Sequence, residues 1–78
     1  MDADVKILSV TPLYEKAASC GYAEAHRVAV ARKCEYTAPI GGDMHFTYYP
    51  TCWFQFIAIK DELTALGYQT LKETEYAP

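Results

Sequence analysis

The residues of this chain best equipped for chemistry are three cysteines and two histidines: Cys20, His26, Cys34, His45 and Cys52. Thiolates and imidazoles are the soft ligands that zinc takes, and a thiol beside an imidazole is also the pair that nucleophilic catalysis uses. Their spacing favours neither. Five, seven, ten and six residues separate them in turn, whereas zinc sites bring their ligands in close pairs such as C-x-x-C. A small zinc or redox protein therefore stands only as a third reading, and Cys34 and Cys52 read as small apolar core residues. Cys20 and His26 are the thiol and imidazole nearest in sequence, which is not yet geometry.

Other catalytic signatures are absent from the sequence. It has no G-x-S-x-G, no Walker loop, no G-x-G-x-x-G and no H-E-x-x-H. Gly41-Gly42 lacks the Lys-Ser/Thr and the following helix that would make a phosphate cradle. The adjacent carboxylates Asp61 and Glu62 fit a helix surface or solvent better than acid-base work. The expectation is a protein that is not an enzyme and takes no cofactor and no metal.

What remains is surface chemistry. His26, Arg27, Arg32 and Lys33 form a basic cluster, and the chain carries seven tyrosines, three phenylalanines and one tryptophan. Eleven rings are more than so small a core can hide, and Tyr, Trp and Arg are the residues that anchor protein interfaces. Residues 1–60 balance six acids against six bases. The last eighteen hold Asp61, Glu62, Glu73 and Glu75 against Lys72, so the net charge of -3 sits in that quarter. A small acidic protein gains little of the phosphate neutralisation on which nucleic-acid affinity rests, and no RNP1-like aromatic run occurs. Direct nucleic-acid binding is thus a second reading. Partner contacts are assigned to Arg27, Arg32, Lys33, Tyr48, Tyr49, Tyr68 and Tyr76.

The elements that must position these groups follow from periodicity. Val5 to Val10 is β-branched and reads as a strand, and Thr11-Pro12 then opens a helix that runs to about Cys20 and closes at Gly21. From Ala25 to Tyr36, His26, Val28, Val30, Cys34 and Tyr36 alternate with Arg27, Ala29, Ala31, Lys33 and Glu35, with Arg32 out of step. That pattern predicts a strand, with a helix as the alternative because the segment is rich in alanine. Pro39-Ile40-Gly41-Gly42-Asp43 predicts a turn, since proline fixes its first φ and glycine takes positive φ freely. Met44 to Tyr49 forms the second arm, with Met44, Phe46 and Tyr48 on one side. Thr51 to Leu66 predicts a helix with Cys52, Phe56, Ile59, Leu63 and Leu66 as its apolar stripe, an N-cap at Thr51 and Gly67 at the C-terminal cap. A strand followed by a short helix is the alternative there. Trp53 and Phe56 are placed in the core, and Tyr68 to Glu75 closes the sheet as a strand.

The order β-α-β-β-α-β predicts a single α+β domain over residues 1–78, with two helices on one face of a four-stranded antiparallel sheet, as in ferredoxin-like sandwiches. A β-α-β-α-β order with a longer first helix is the alternative. The open face of the sheet would then carry Arg27, Lys33, His45, Tyr49, Tyr68 and Tyr76, and a homodimer through that face is a further reading. The start of the sequence lacks a basic segment followed by an apolar run. The longest stretch without formal charge, Met44 to Ile59, falls short of the roughly 20 apolar residues that span a bilayer. Both point to a cytoplasmic protein with no membrane contact, and an odd number of cysteines suits a reducing compartment. The functional expectation is a binding module that docks on a larger protein or nucleoprotein and blocks or bridges it. Its size and acidity are those of phage or mobile-element inhibitors such as anti-CRISPR proteins, although no motif matches a known family.

Overall fold

The computed structural model describes residues 5–13, 17–39 and 44–76. Six elements follow one another: β1 (Val5–Pro12), α1 (Ala18–Arg32), β2 (Glu35–Thr37), β3 (Phe46–Tyr49), α2 (Trp53–Ala65) and β4 (Tyr68–Tyr76). The strands form one antiparallel sheet in the order β2-β3-β1-β4. That is the ferredoxin-like order, with β1 held between β3 and β4 and both helices on one face. Leu8 lies opposite Tyr48 and Glu73, and Tyr36 lies opposite Tyr48. The register of β1 with β4 shifts at Ser9/Val10, where β4 carries one extra residue, a bulge that locally bends a long ribbon.

Alternation along β1 and β3 sends Leu8, Val10, Phe46 and Tyr48 to the helical side, where all are buried. Tyr68 joins them from β4. Against these the helices set Ala25, Val28 and Ala29 from α1 and Phe56, Ile59 and Leu63 from α2. The aromatic rings meet largely edge to face: Tyr22 on Phe46 at 5.6 Å and Phe46 on Tyr68 at 6.2 Å between centroids, a geometry the ring quadrupoles favour. The two buried phenols keep their polar ends satisfied on α1. Tyr48 Oη donates to the Ala25 carbonyl at 2.7 Å, and Tyr68 Oη lies 3.1 Å from both the Gly21 carbonyl and a Glu24 carboxylate oxygen.

The segment read as a strand over Ala25 to Tyr36 is instead the body of α1, with only Glu35–Thr37 left to β2. Burial explains the outcome. Gly21, Ala25, Val28 and Ala29 recur at helical spacing and face the core, while Val28 is fully buried and Val30 is 61% exposed. Two residues that alternation would put on one face thus lie on opposite sides, and the alanines supply the propensity. The helix expected from Pro12 to Cys20 is corrected likewise. Pro12 ends β1 opposite Tyr68, and Gly21 lies inside α1 rather than closing it. Lys33 makes the actual stop, in the left-handed region at φ 53°, ψ 48°. Its N–H donates to Val30 O and the N–H of Cys34 to Ala29 O, the paired reverse bonds of a Schellman cap.

The second half of the chain follows its pattern more closely. The predicted arm at Met44 contracts to β3 at Phe46, and α2 starts after Cys52, with Thr51 donating its N–H to the Gln55 side chain. Gly67 takes φ 93° directly after the helix, where glycine alone avoids a steric cost. The glycine turn at Ile40 to Asp43 lies outside the described residues.

Candidate functional site

Each residue assigned to a partner contact has a definite place except one. Arg27, Arg32 and Lys33 are exposed, but on α1 and its cap, not on the sheet. Arg32 Nε binds Glu62 on α2 at 3.0 Å. Tyr49 is half-buried on the open face, where its hydroxyl accepts from Thr37 Oγ1 at 3.0 Å. Tyr48 and Tyr68 are strand residues, as expected, and are buried at 0% and 1% exposure. Tyr76 pairs with Val5 at the end of β4, and its side chain lies outside the described residues.

Among the described side chains of the open face, Tyr49 is the aromatic one. These side chains include Ile7, Ser9, Thr11, Thr47, Tyr49, Glu35 and Thr37, mostly short hydroxyls, with Ser9 Oγ 3.3 Å from Thr47 Oγ1.

Exposed apolar side chains occur on the sheet at Leu71, on α1 at Val30 and, as a pair of rings, on α2. Trp53 is 47% and Phe54 84% exposed in the first turn of α2, which corrects the placement of Trp53 in the core. Trp53 rests one side on Phe56, 5.3 Å between centroids, and leaves the other to solvent. Cys52, predicted on the apolar stripe, is the exposed N-cap residue. A helix starting at Trp53 turns Phe56, Ile59 and Leu63 inward and so must send Phe54 out. Only the helix phase gives this away, and a start placed at Thr51 does not fix it.

This aromatic turn adjoins the end of α1. Gln55 Nε2 donates to the carbonyls of Arg32 and Lys33 at 2.8 and 3.1 Å, tying two helix ends together at one end of the domain. On the outer side of α1, toward β2, lies a shallow groove of about 300 Å³. Ala29, Val30 and Tyr36 give it apolar lining, and His26, Lys33, Cys34 and Glu35 complete it. Tyr36 stacks on Tyr48 at 5.4 Å, and its hydroxyl is 3.5 Å from His26 Nδ1. The Cys34 thiol donates to the Glu35 carbonyl at 3.3 Å, and burial raises its pKa above 9.0. Such a thiol is a poor nucleophile.

No group of three or more His, Cys, Asp or Glu side chains that could hold a metal ion occurs among the described residues. The three cysteines are free, Cys20 and Cys52 at the surface and Cys34 buried. No helix among the described residues is long and apolar enough to cross a membrane. No protein-family model matches the chain, and neither a curated protein nor a solved structure is matched by it.

Proposed function

We propose that this chain is a non-enzymatic binding module that docks on a larger protein and blocks or bridges it, in the manner of the small inhibitors of phages and mobile elements. The observation that carries the reading is the solvent-facing pair Trp53 and Phe54 at 47% and 84% exposure. Each large ring left in water forgoes roughly 1.5 to 3 kcal/mol that burial would return. Two adjacent rings on a rigid helical turn form an anchor of the kind that dominates interface energies. The cations Arg27 and Lys33 on the neighbouring helix supply the polar rim. The partner surface that fits is an apolar pocket with carboxylates beside it.

The test is capture of partners from nuclease-treated host lysate by the tagged chain and by the Trp53→Ser/Phe54→Ser variant, with circular dichroism to verify that both are folded. A stoichiometric protein retained by the parent chain and lost with the variant supports docking. Equal capture by both, or capture abolished by nuclease, rejects it in favour of another surface or of nucleic acid.

A further inference from the structure

The groove beside α1 runs along a sheet edge, and the two features together define a peptide site. β2 is an outer strand of the sheet, bonded only to β3. Its pleat directs every other N–H and C=O away from β3, toward a side where no strand of the described residues pairs with it. An extended peptide laid against this edge would gain main-chain hydrogen bonds and drop alternate side chains toward the helical face. On that face β2 presents Tyr36, stacked on Tyr48. The added residue opposite Tyr36 therefore meets the apolar walls formed by Tyr36, Ala29 and Val30.

Charge specifies the next position. Lys33 stands two residues before the start of β2, across Cys34, is exposed, lines the same groove as Glu35 and Tyr36, and is in neither of the ion pairs of the described residues, Arg32–Glu62 and Lys60–Glu73. Side chains two apart on the added strand share a face, so the residue two positions toward the start of β2 stands beside the Lys33 ammonium. An acid belongs there. The residue between them lies on the open face opposite Glu35, where another acid would be repelled.

We infer that the edge of β2 and the groove beside it bind an extended segment of a partner protein by strand addition, reading an acid and an aliphatic residue two positions apart. This inference rests on the docking reading and names the chemistry of a second contact at the same end of the domain. The test is selection of a random octapeptide library on the full chain, with Val30→Glu and Lys33→Glu as counter-targets. Both substituted positions are exposed, and circular dichroism verifies the fold. The expected result is enrichment of acid-x-aliphatic sequences whose binding, read by fluorescence anisotropy, weakens at least tenfold with either variant. Methylation of alternate peptide nitrogens should remove it as well, through loss of main-chain pairing. No enrichment, enrichment without that spacing, or peptides that bind the variants equally well would overturn it. If a protein is captured through Trp53 and Phe54 while no peptide is enriched, the groove fails and docking stands. Enriched peptides without any captured protein sink the aromatic anchor and leave the groove.

Discussion

The two buried tyrosines make the response to alkali a sharp test of the core. Burial raises the pKa of Tyr48 far above the ordinary 10.0, with Tyr36 and Tyr68 adding to it, and burial followed by the bond to Glu24 does the same for Tyr68. A phenol harder to ionise in the folded chain lends stability that is complete below the unfolded pKa near 10. That stability is lost as pH climbs toward the folded value. Each such group costs about 1.4 kcal/mol per pH unit above 10, so the pair removes about 2.7 kcal/mol per unit. A domain of this size holds roughly 3 to 5 kcal/mol, which places alkaline unfolding near pH 11 to 12. Tyr48→Phe removes one hydroxyl from a carbonyl that sits within the α1 ladder, a loss of about 1 kcal/mol at neutral pH, and it should halve the slope above pH 10. Urea unfolding followed by circular dichroism between pH 8 and 12 measures the slope, and absorbance at 295 nm reports whether tyrosinate forms together with unfolding. Cys34→Ala separates the thiol, whose raised pKa acts in the same direction from pH 9 upward. A Tyr48→Phe/Tyr68→Phe chain as steep as the parent between pH 10 and 12 would refute the idea that burial holds these phenols neutral.

Phe56→Ala opens a cavity in the core and should cost about 3 to 5 kcal/mol, enough to unfold the chain, whereas Phe54→Ala at 84% exposure should stay within about 0.5 kcal/mol; thermal melts of both variants check it. Lys33→Gly relieves the left-handed backbone at φ 53° and should raise stability by about 0.5 to 1 kcal/mol in urea after the extra unfolded-state entropy is deducted. At Gly21 an added Cβ would meet the Met44 Cε methyl, the free end of a flexible side chain that can swing aside. Gly21→Ala should therefore gain up to about 1 kcal/mol from helix propensity, and a loss larger than that would mean Met44 is pinned. Trp53 is the only tryptophan, so its emission should shift to the blue when a protein partner covers it, and an unchanged spectrum on saturation would place the contact elsewhere.

The fold class was legible because each strand except β2 announces itself through alternation and α2 through spacings of three and four. The misread stretch, α1 with the short β2 after it, fails for a physical reason. The buried face of α1 is made of Gly21, Ala25, Val28 and Ala29, residues so small that they leave almost no hydrophobic contrast along the segment, while His26, Val28 and Val30 imitate a strand by accident. Small residues are there because the bulk is supplied from across the interface. Tyr48 and Tyr68 reach over from the sheet to bond the helix backbone at Ala25 and Gly21, which requires a close approach. A single-sequence pattern registers bulk on the element itself and misses bulk contributed by its neighbour. The helix stop was hidden as well, because a lysine occupies the left-handed position where glycine is the usual signal.

The exposure of the charged residues was legible and that of the rings was not, and both follow from that packing. Counting rings correctly indicated that some had to face solvent, but tyrosine carries a polar end that a buried site can satisfy, as α1 carbonyls do here. Phe54 has no polar end, so its 84% exposure cannot be an accommodation of the ring to both media. The hydrophobic penalty falls on Phe54 and Trp53, the rings least suited to water, and not on the tyrosines to which interface statistics first pointed. Arg27 and Lys33 kept their exposure when their segment changed from strand to helix, because a charged side chain seeks solvent in either. What changed is their neighbours: Lys33, at the end of α1, lines a groove beside the β2 edge, whereas a strand reading would have put it with Arg27 on one face of the sheet.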